Sequence, residues 1–96
     1  RSLWGNGIAE MLVKVLSNEI TLSSTSNTTV NNAVVVRLVH VGSQEHIVYI
    51  ADGAGSNIGQ FTILNNSEII LEKERTDTLQ IDTGTDVKAV SIAYKN

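Results

Sequence analysis

Two histidines are the first place to look for chemistry in this chain. His40 and His46 flank the polar segment Gly42-Ser43-Gln44-Glu45, at the end of one apolar run and the start of the next. A turn between the runs would bring the two imidazoles together. Two imidazoles supply half of a tetrahedral zinc site, which needs at least a third ligand. The chain has no cysteine to provide one. The other role open to the pair is hydrogen bonding at a sheet edge or in the core, and that is the role expected. No thiolate chemistry and no disulfide can occur.

Other constellations are weaker. Gly53, Gly55 and Gly59 lie close together, but their spacing is not a dinucleotide fingerprint. No Gly-Lys-Ser/Thr follows, and the residues after them read as a strand, not a helix that could hold phosphate at its N-terminus. A hairpin loop is expected there. Asp52, Ser56 and Asn57 offer oxygens to calcium, yet the loop lacks the alternating acidic pattern and the distal glutamate. Asp77, Asp82 and Asp86 stand near turns, where aspartate bonds main-chain amides. No pair of carboxylates is spaced for glycoside hydrolysis, and no G-x-S-x-G elbow presents a serine nucleophile. One Trp, two Tyr and one Phe leave few aromatic platforms for sugars. The residues therefore predict no catalytic, cofactor-binding or metal site, and no enzyme.

The elements around these residues read as strands. Ala33 to Ala51, AVVVRLVHVGSQEHIVYIA, reads as two apolar, β-branched strands joined as a hairpin, which needs further strands to bury its faces. In its first strand, Val34, Val36, Leu38 and His40 share one face, and Val35, Arg37, Val39 and Val41 the other. That pattern predicts a central strand covered on both sides, with Arg37 as a rim ion pair or an intersubunit contact. Further strands are expected over Met11–Leu16, Glu19–Ser23, Ile58–Leu64, Ser67–Lys73, Thr78–Asp82 and Val87–Tyr94. Ser24 to Asn32, STSNTTVNN, reads as a polar loop or edge segment. Asp52–Gly59, Asn65-Asn66 and Thr83–Asp86 are turns. Eight strands spaced about 8–12 residues apart predict an all-β domain. Its expected form is a two-sheet antiparallel β-sandwich, jelly-roll-like, with a small barrel as the alternative.

Ninety-six residues make one domain, expected over residues 11–96. Residues 1–10, RSLWGNGIAE, lack strand alternation, and Gly5 and Gly7 suit a turn or an extended arm. Leu3, Trp4 and Ile8 are its apolar side chains. Trp4 either folds back on its own domain or anchors the arm on a neighbouring subunit. The net charge of −3 is mild and scattered, with no basic patch of the kind a nucleic-acid binder shows. No apolar run approaches the roughly 20 residues of a membrane span. Neither nucleic acid nor membrane is an expected partner.

Three stretches taken together carry a resemblance: SNEITLSST, then VVVRLVHVGSQEHIVYIADGAGSNIGQFTI, then SEIILEKERTDTLQIDTGTDVKAVSIAY. Their turns and composition resemble small β-rich structural proteins of marine and cyanobacterial tailed-phage virions, over about residues 15–95. The resemblance implies a virion component on the capsid surface, a decoration or cement protein. Its partners would be the major capsid protein and further copies of itself, as a homotrimer if it sits on capsid three-fold positions. The alternative is a tail or fibre domain that binds a host receptor or glycan.

Overall fold

The computed structural model describes residues 12–95. The strands are β1 (Leu12–Val15), β2 (Ile20–Thr21), β3 (Val35–His40), β4 (His46–Ala51), β5 (Asn57–Ile63), β6 (Glu68–Glu72), β7 (Thr78–Ile81) and β8 (Val87–Lys95). They form two antiparallel sheets. The first has the order β1-β8-β3-β6, with β2 also on β8; the second has the order β5-β4-β7. β1 pairs with the C-terminal half of β8 and β2 with its N-terminal half, so the two short strands act as one interrupted edge. The segment after β2 crosses to the other sheet. It lies along β7 through an isolated bridge between Thr28 and Leu79 and a bond from Ile81 N–H to Ser23 C=O at 3.1 Å. The fold is a two-sheet sandwich, with a strand order that is jelly-roll-like. The two sheets share no strand pairs among the described residues, so the barrel alternative is not the fold.

Alternation explains which side chains meet. Residues i and i+2 of a strand share a face, and register partners on neighbouring strands share it too. Val36 and Leu38 stand opposite Ser91 and Ala89, while Val48 stands opposite both Phe61 and Ile81. These inward faces, with Leu22, Val30 and Ala33 from the crossing segment, make one core. Val30, Asn31 and Asn32 all have φ between 55° and 59°. That left-handed backbone is costly for a β-branched valine. Complete burial of Val30 offsets the cost, and Thr28 Oγ1 and Thr29 Oγ1 accept from the amides of Val30 and Asn32, both at 3.1 Å.

Two expectations need correction. β3 and β4 are not a hairpin: β3 belongs to the first sheet, between β8 and β6, and β4 to the second, between β5 and β7. Both are central strands with two partners each, so they cannot also pair with one another, and the segment from Val41 to Glu45 turns a corner between sheets. Nor is β3 covered on both sides. Val36, Leu38 and His40 are buried, whereas Val35, Arg37 and Val39 are only half-buried on the outward face. Leu3, Trp4 and Ile8, and with them the arm, lie outside the described residues.

Candidate functional site

The corner between β3 and β4 builds the most organised polar cluster in the described residues. His40 closes β3 and His46 opens β4. Both are buried, and their rings stack with centroids 4.9 Å apart and planes 26° from parallel. The turn supplies the partners of His40: Gly42 N–H donates to its Nδ1 at 2.9 Å, and its Nε2 meets the Gln44 carbonyl. A ring whose Nδ1 accepts carries its proton on Nε2, so His40 serves to shape the corner. Gly42 is required there, because a Cβ at that position would collide with the Asp86 carboxylate.

His46 is different. Its Nδ1 lies 3.0 Å from Asp82 Oδ1 and its Nε2 3.3 Å from Asp86 Oδ2. With both ring nitrogens protonated, as an imidazolium, His46 donates to both carboxylates at once. Burial alone would push the ring toward its neutral form. The hydrogen bonds to Asp86 and Asp82 and the charges of both carboxylates outweigh it, and the pKa stands above the ordinary 6.5. Burial would raise the Asp82 pKa, but the bond with His46 and main-chain bonds from Ile47 and Thr83 hold it below the ordinary 3.8. The β7–β8 turn is shaped to deliver these acids: Gly84 has φ 79°, and Thr83 N–H caps Asp82 Oδ1 at 2.9 Å. The cluster thus clasps the corner, the end of β7 and the start of β8. Every ring nitrogen has a partner. Among the described residues no group of three or more His, Asp or Glu is placed to hold a metal ion.

At the opposite end of the sandwich, Lys73 follows β6 and is also buried. Its Nζ donates to Ala33 C=O at 2.7 Å and Glu74 C=O at 3.1 Å. Burial pulls its pKa below the ordinary 10.5, against the opposing charge of Asp77. Asp77 itself accepts from Glu74 N–H at 3.1 Å. Asp52 Oδ1 accepts from the amides of Ala54 and Ser56, which commits that oxygen to its own turn. Gly55 takes φ 93° in that turn. Gly53 does not need a left-handed backbone; a Cβ on it would press Thr76 at 3.1 Å.

Arg37 lies midway between these ends. On the outward face of the first sheet it forms an ion pair with Glu68 of β6, a diagonal neighbour in the register that sets Arg37 opposite Ile70 and Val39 opposite Glu68. The ion pair expected for Arg37 is present, but on the face of a central strand between β8 and β6 and not at a sheet rim. Around it the face is mostly apolar, with Glu72 opposite Val35 and Lys88 opposite Val39. Val13 and Val15 stand opposite Tyr94 and the buried Ile92, and half-buried Val35 and Val39, exposed Ile70 and the buried Val90 continue the face. Val13, Val15, Ile70 and Tyr94 remain 41–62% exposed. The outward face of the second sheet carries Ile47 and Tyr49 opposite Thr62, Gln60 and Gln80, and is more polar.

Sequence reading placed His40 and His46 together and assigned them hydrogen bonding, which is what they do. It gave Asp77 and Asp82 their main-chain amides. It missed that Asp82 and Asp86 converge on His46, and it missed the burial of Lys73. The signal for the first was the four-residue spacing of the two acids across a glycine turn, which needed the β7–β8 crossing to be known before it could be used. Compared with known proteins, the chain matches no family model, no curated protein and no solved structure.

Proposed function

We propose that this chain is a non-enzymatic structural protein of a virus particle, a capsid decoration or cement protein, which meets the major capsid protein through the outward face of its first sheet. One observation supports this reading above the others. A sheet with one face in water normally alternates apolar inward and polar outward residues. Here the outward face of the described strands exposes Val13, Val15, Ile70 and Tyr94 and half-exposes Val35 and Val39, around the Arg37–Glu68 pair and with Glu72 and Lys88 at its margins. A contiguous apolar face of that kind marks an interaction surface. The resemblance to phage virion proteins supplies the partner, and a decoration protein needs a stable scaffold with a binding face and no reaction centre. The virion is the corresponding location.

Quantitative mass spectrometry of purified particles of the virus that carries the gene tests the reading. The expected result is a copy number near that of the major capsid protein, falling severalfold for Val15→Asp while that variant remains folded. Absence from the particles would discard the proposal, and a handful of copies would replace the capsid surface by the tail.

A further inference from the structure

The sandwich has four sheet edges, and they are treated unequally. An open edge presents unpaired N–H and C=O groups, and proteins blunt it with charge, brevity, bulges or a covering segment. The β1/β2 edge is short, carries Lys14 and is interrupted between Val15 and Ile20. The β6 edge begins and ends with Glu68 and Glu72. The β7 edge is covered: Leu79 and Thr28 exchange main-chain bonds at 2.8 and 3.1 Å, and Gln80 Nε2 donates to Ser24 C=O at 2.6 Å. Among the described residues, the β5 edge has none of these devices along Gly59–Ile63. β5 is seven residues long, NIGQFTI, with no charged residue and no proline. Its one irregularity lies at the far end, opposite Ile50 and Ala51. Among the described residues it pairs only with β4.

The direction of its free groups follows from the register. Asp82 N–H donates to Ile47 C=O, so Ile47 and Tyr49 turn their main-chain groups toward β7. Val48 and His46 turn theirs toward β5, where they meet Phe61 and Ile63. Alternation leaves the N–H and C=O groups of Gln60 and Thr62 on the open edge. Exposed apolar side chains flank this segment, Ile58 at 57% within the strand and Leu64 at 59% just past its end.

We infer that β5 pairs with β5 of a second copy of this chain, antiparallel and centred on Phe61, to join two three-stranded sheets into one of six strands. This register is self-complementary. Gln60 faces Thr62 of the second copy, and the two exchange main-chain bonds on each side of the two-fold axis. The faces are preserved, because the residue numbers of each facing pair sum to an even number. Phe61 meets its own copy at a non-hydrogen-bonded position, where side chains approach most closely and aromatic pairs are favourable. Exposed Ile58 comes opposite exposed Leu64. No like charges meet across the axis, because the strand has no charge. The pairing stands apart from the virion reading and holds whether or not the first sheet meets a capsid. It predicts a dimer, where the capsid three-fold would predict a trimer.

The test is sedimentation velocity on the full chain, with far-ultraviolet circular dichroism as the check on folding. Wild type should sediment at twice the chain mass. The double variants Gln60→Lys/Thr62→Lys and Gln60→Glu/Thr62→Glu should each be monomers with unchanged strand content, because like charges then face one another across the axis. Mixing the two in equal amounts should restore the dimer, since opposite charges then face each other. A monomeric or trimeric wild type overturns the proposal. So do double variants that remain dimers, and so does a mixture that stays monomeric.

Discussion

The two ends of the sandwich each bury a cation, and they satisfy it in opposite ways. At the β3–β4 corner, the protonated His46 donates from each nitrogen to a carboxylate, Asp82 and Asp86. At the other end, Lys73 donates to two main-chain carbonyls, of Ala33 and Glu74, with Asp77 nearby as counter-charge. Paired carboxylates more than repay the desolvation of the imidazole, so its pKa rises. Neutral carbonyls do not repay that of the ammonium, so its pKa falls. A buried charge therefore strengthens one end and taxes the other, and what decides is the charge of the partner, since burial is common to both.

The largest expected effect breaks the first end. His46→Met keeps much of the side-chain volume and leaves two carboxylates facing no cation. Breaking a fully buried pair costs about 3–5 kcal/mol. The side chains of Asp82 and Asp86 are 30% and 43% exposed, so solvent reduces the loss to about 2 kcal/mol, measurable by urea unfolding. The loss should depend on pH. His46 has a folded pKa above 6.5, so its contribution is complete below 6.5 and fades as pH rises through the folded value. Asp82 has a folded pKa below 3.8, so its contribution is complete above 3.8 and fades as pH falls through the folded value. Wild type and variant should differ most between 3.8 and 6.5 and converge on either side. Parallel curves would mean that His46 matters for its shape and not its charge.

The middle-sized effect concerns Lys73, and its sign is reversed. The unfolded chain binds the Lys73 proton more tightly than the folded one, because the folded pKa lies below 10.5. Stability should therefore rise with pH between the folded value and 10.5. Lys73→Met removes that rise. At neutral pH the variant should sit within about 1 kcal/mol of wild type, because lost bonds to two carbonyls are set against the relieved desolvation. Thermal melts taken across the alkaline range read the difference. If the variant keeps the alkaline rise, Lys73 is not its source and the contrast between the ends fails.

How far these ends could be read from sequence differs for a physical reason. Strand positions follow from local alternation, and all eight strands lie where the apolar runs place them. The inward set Leu79 and Ile81, and the turn residues Asp52 and Gly55, are equally local. Sheet membership is not. The run through β3 and β4 carries every hairpin signal, yet the choice between a hairpin and a corner depends on whether β8, β6, β5 and β7 already occupy both edges of each strand. The His46 cluster depends on that same choice, because Asp82 and Asp86 are 36 and 40 residues away. Lys73 was hidden for a related reason. EKER looks like a solvated charge run, and only the crossing that brings the Ala33 carbonyl over it makes the lysine internal.

The smallest effect serves as the control for the comparison. Arg37 lies on the outward face of the central strand β3, paired with Glu68. Their side chains are 40% and 51% exposed. A pair in that setting gains little, because water screens the attraction and two long side chains lose rotamer freedom. Arg37→Ala should cost less than about 1 kcal/mol in urea unfolding. Part of that loss would come from the aliphatic stem, which stands opposite Ile70 and Val90. The electrostatic part should shrink in salt, since the Debye length falls to about 3 Å at 1 M, while the His46 loss should hardly change. If Arg37→Ala proved as costly as His46→Met and equally insensitive to salt, carboxylate pairing alone would be enough to explain both, and burial would lose its place in the argument.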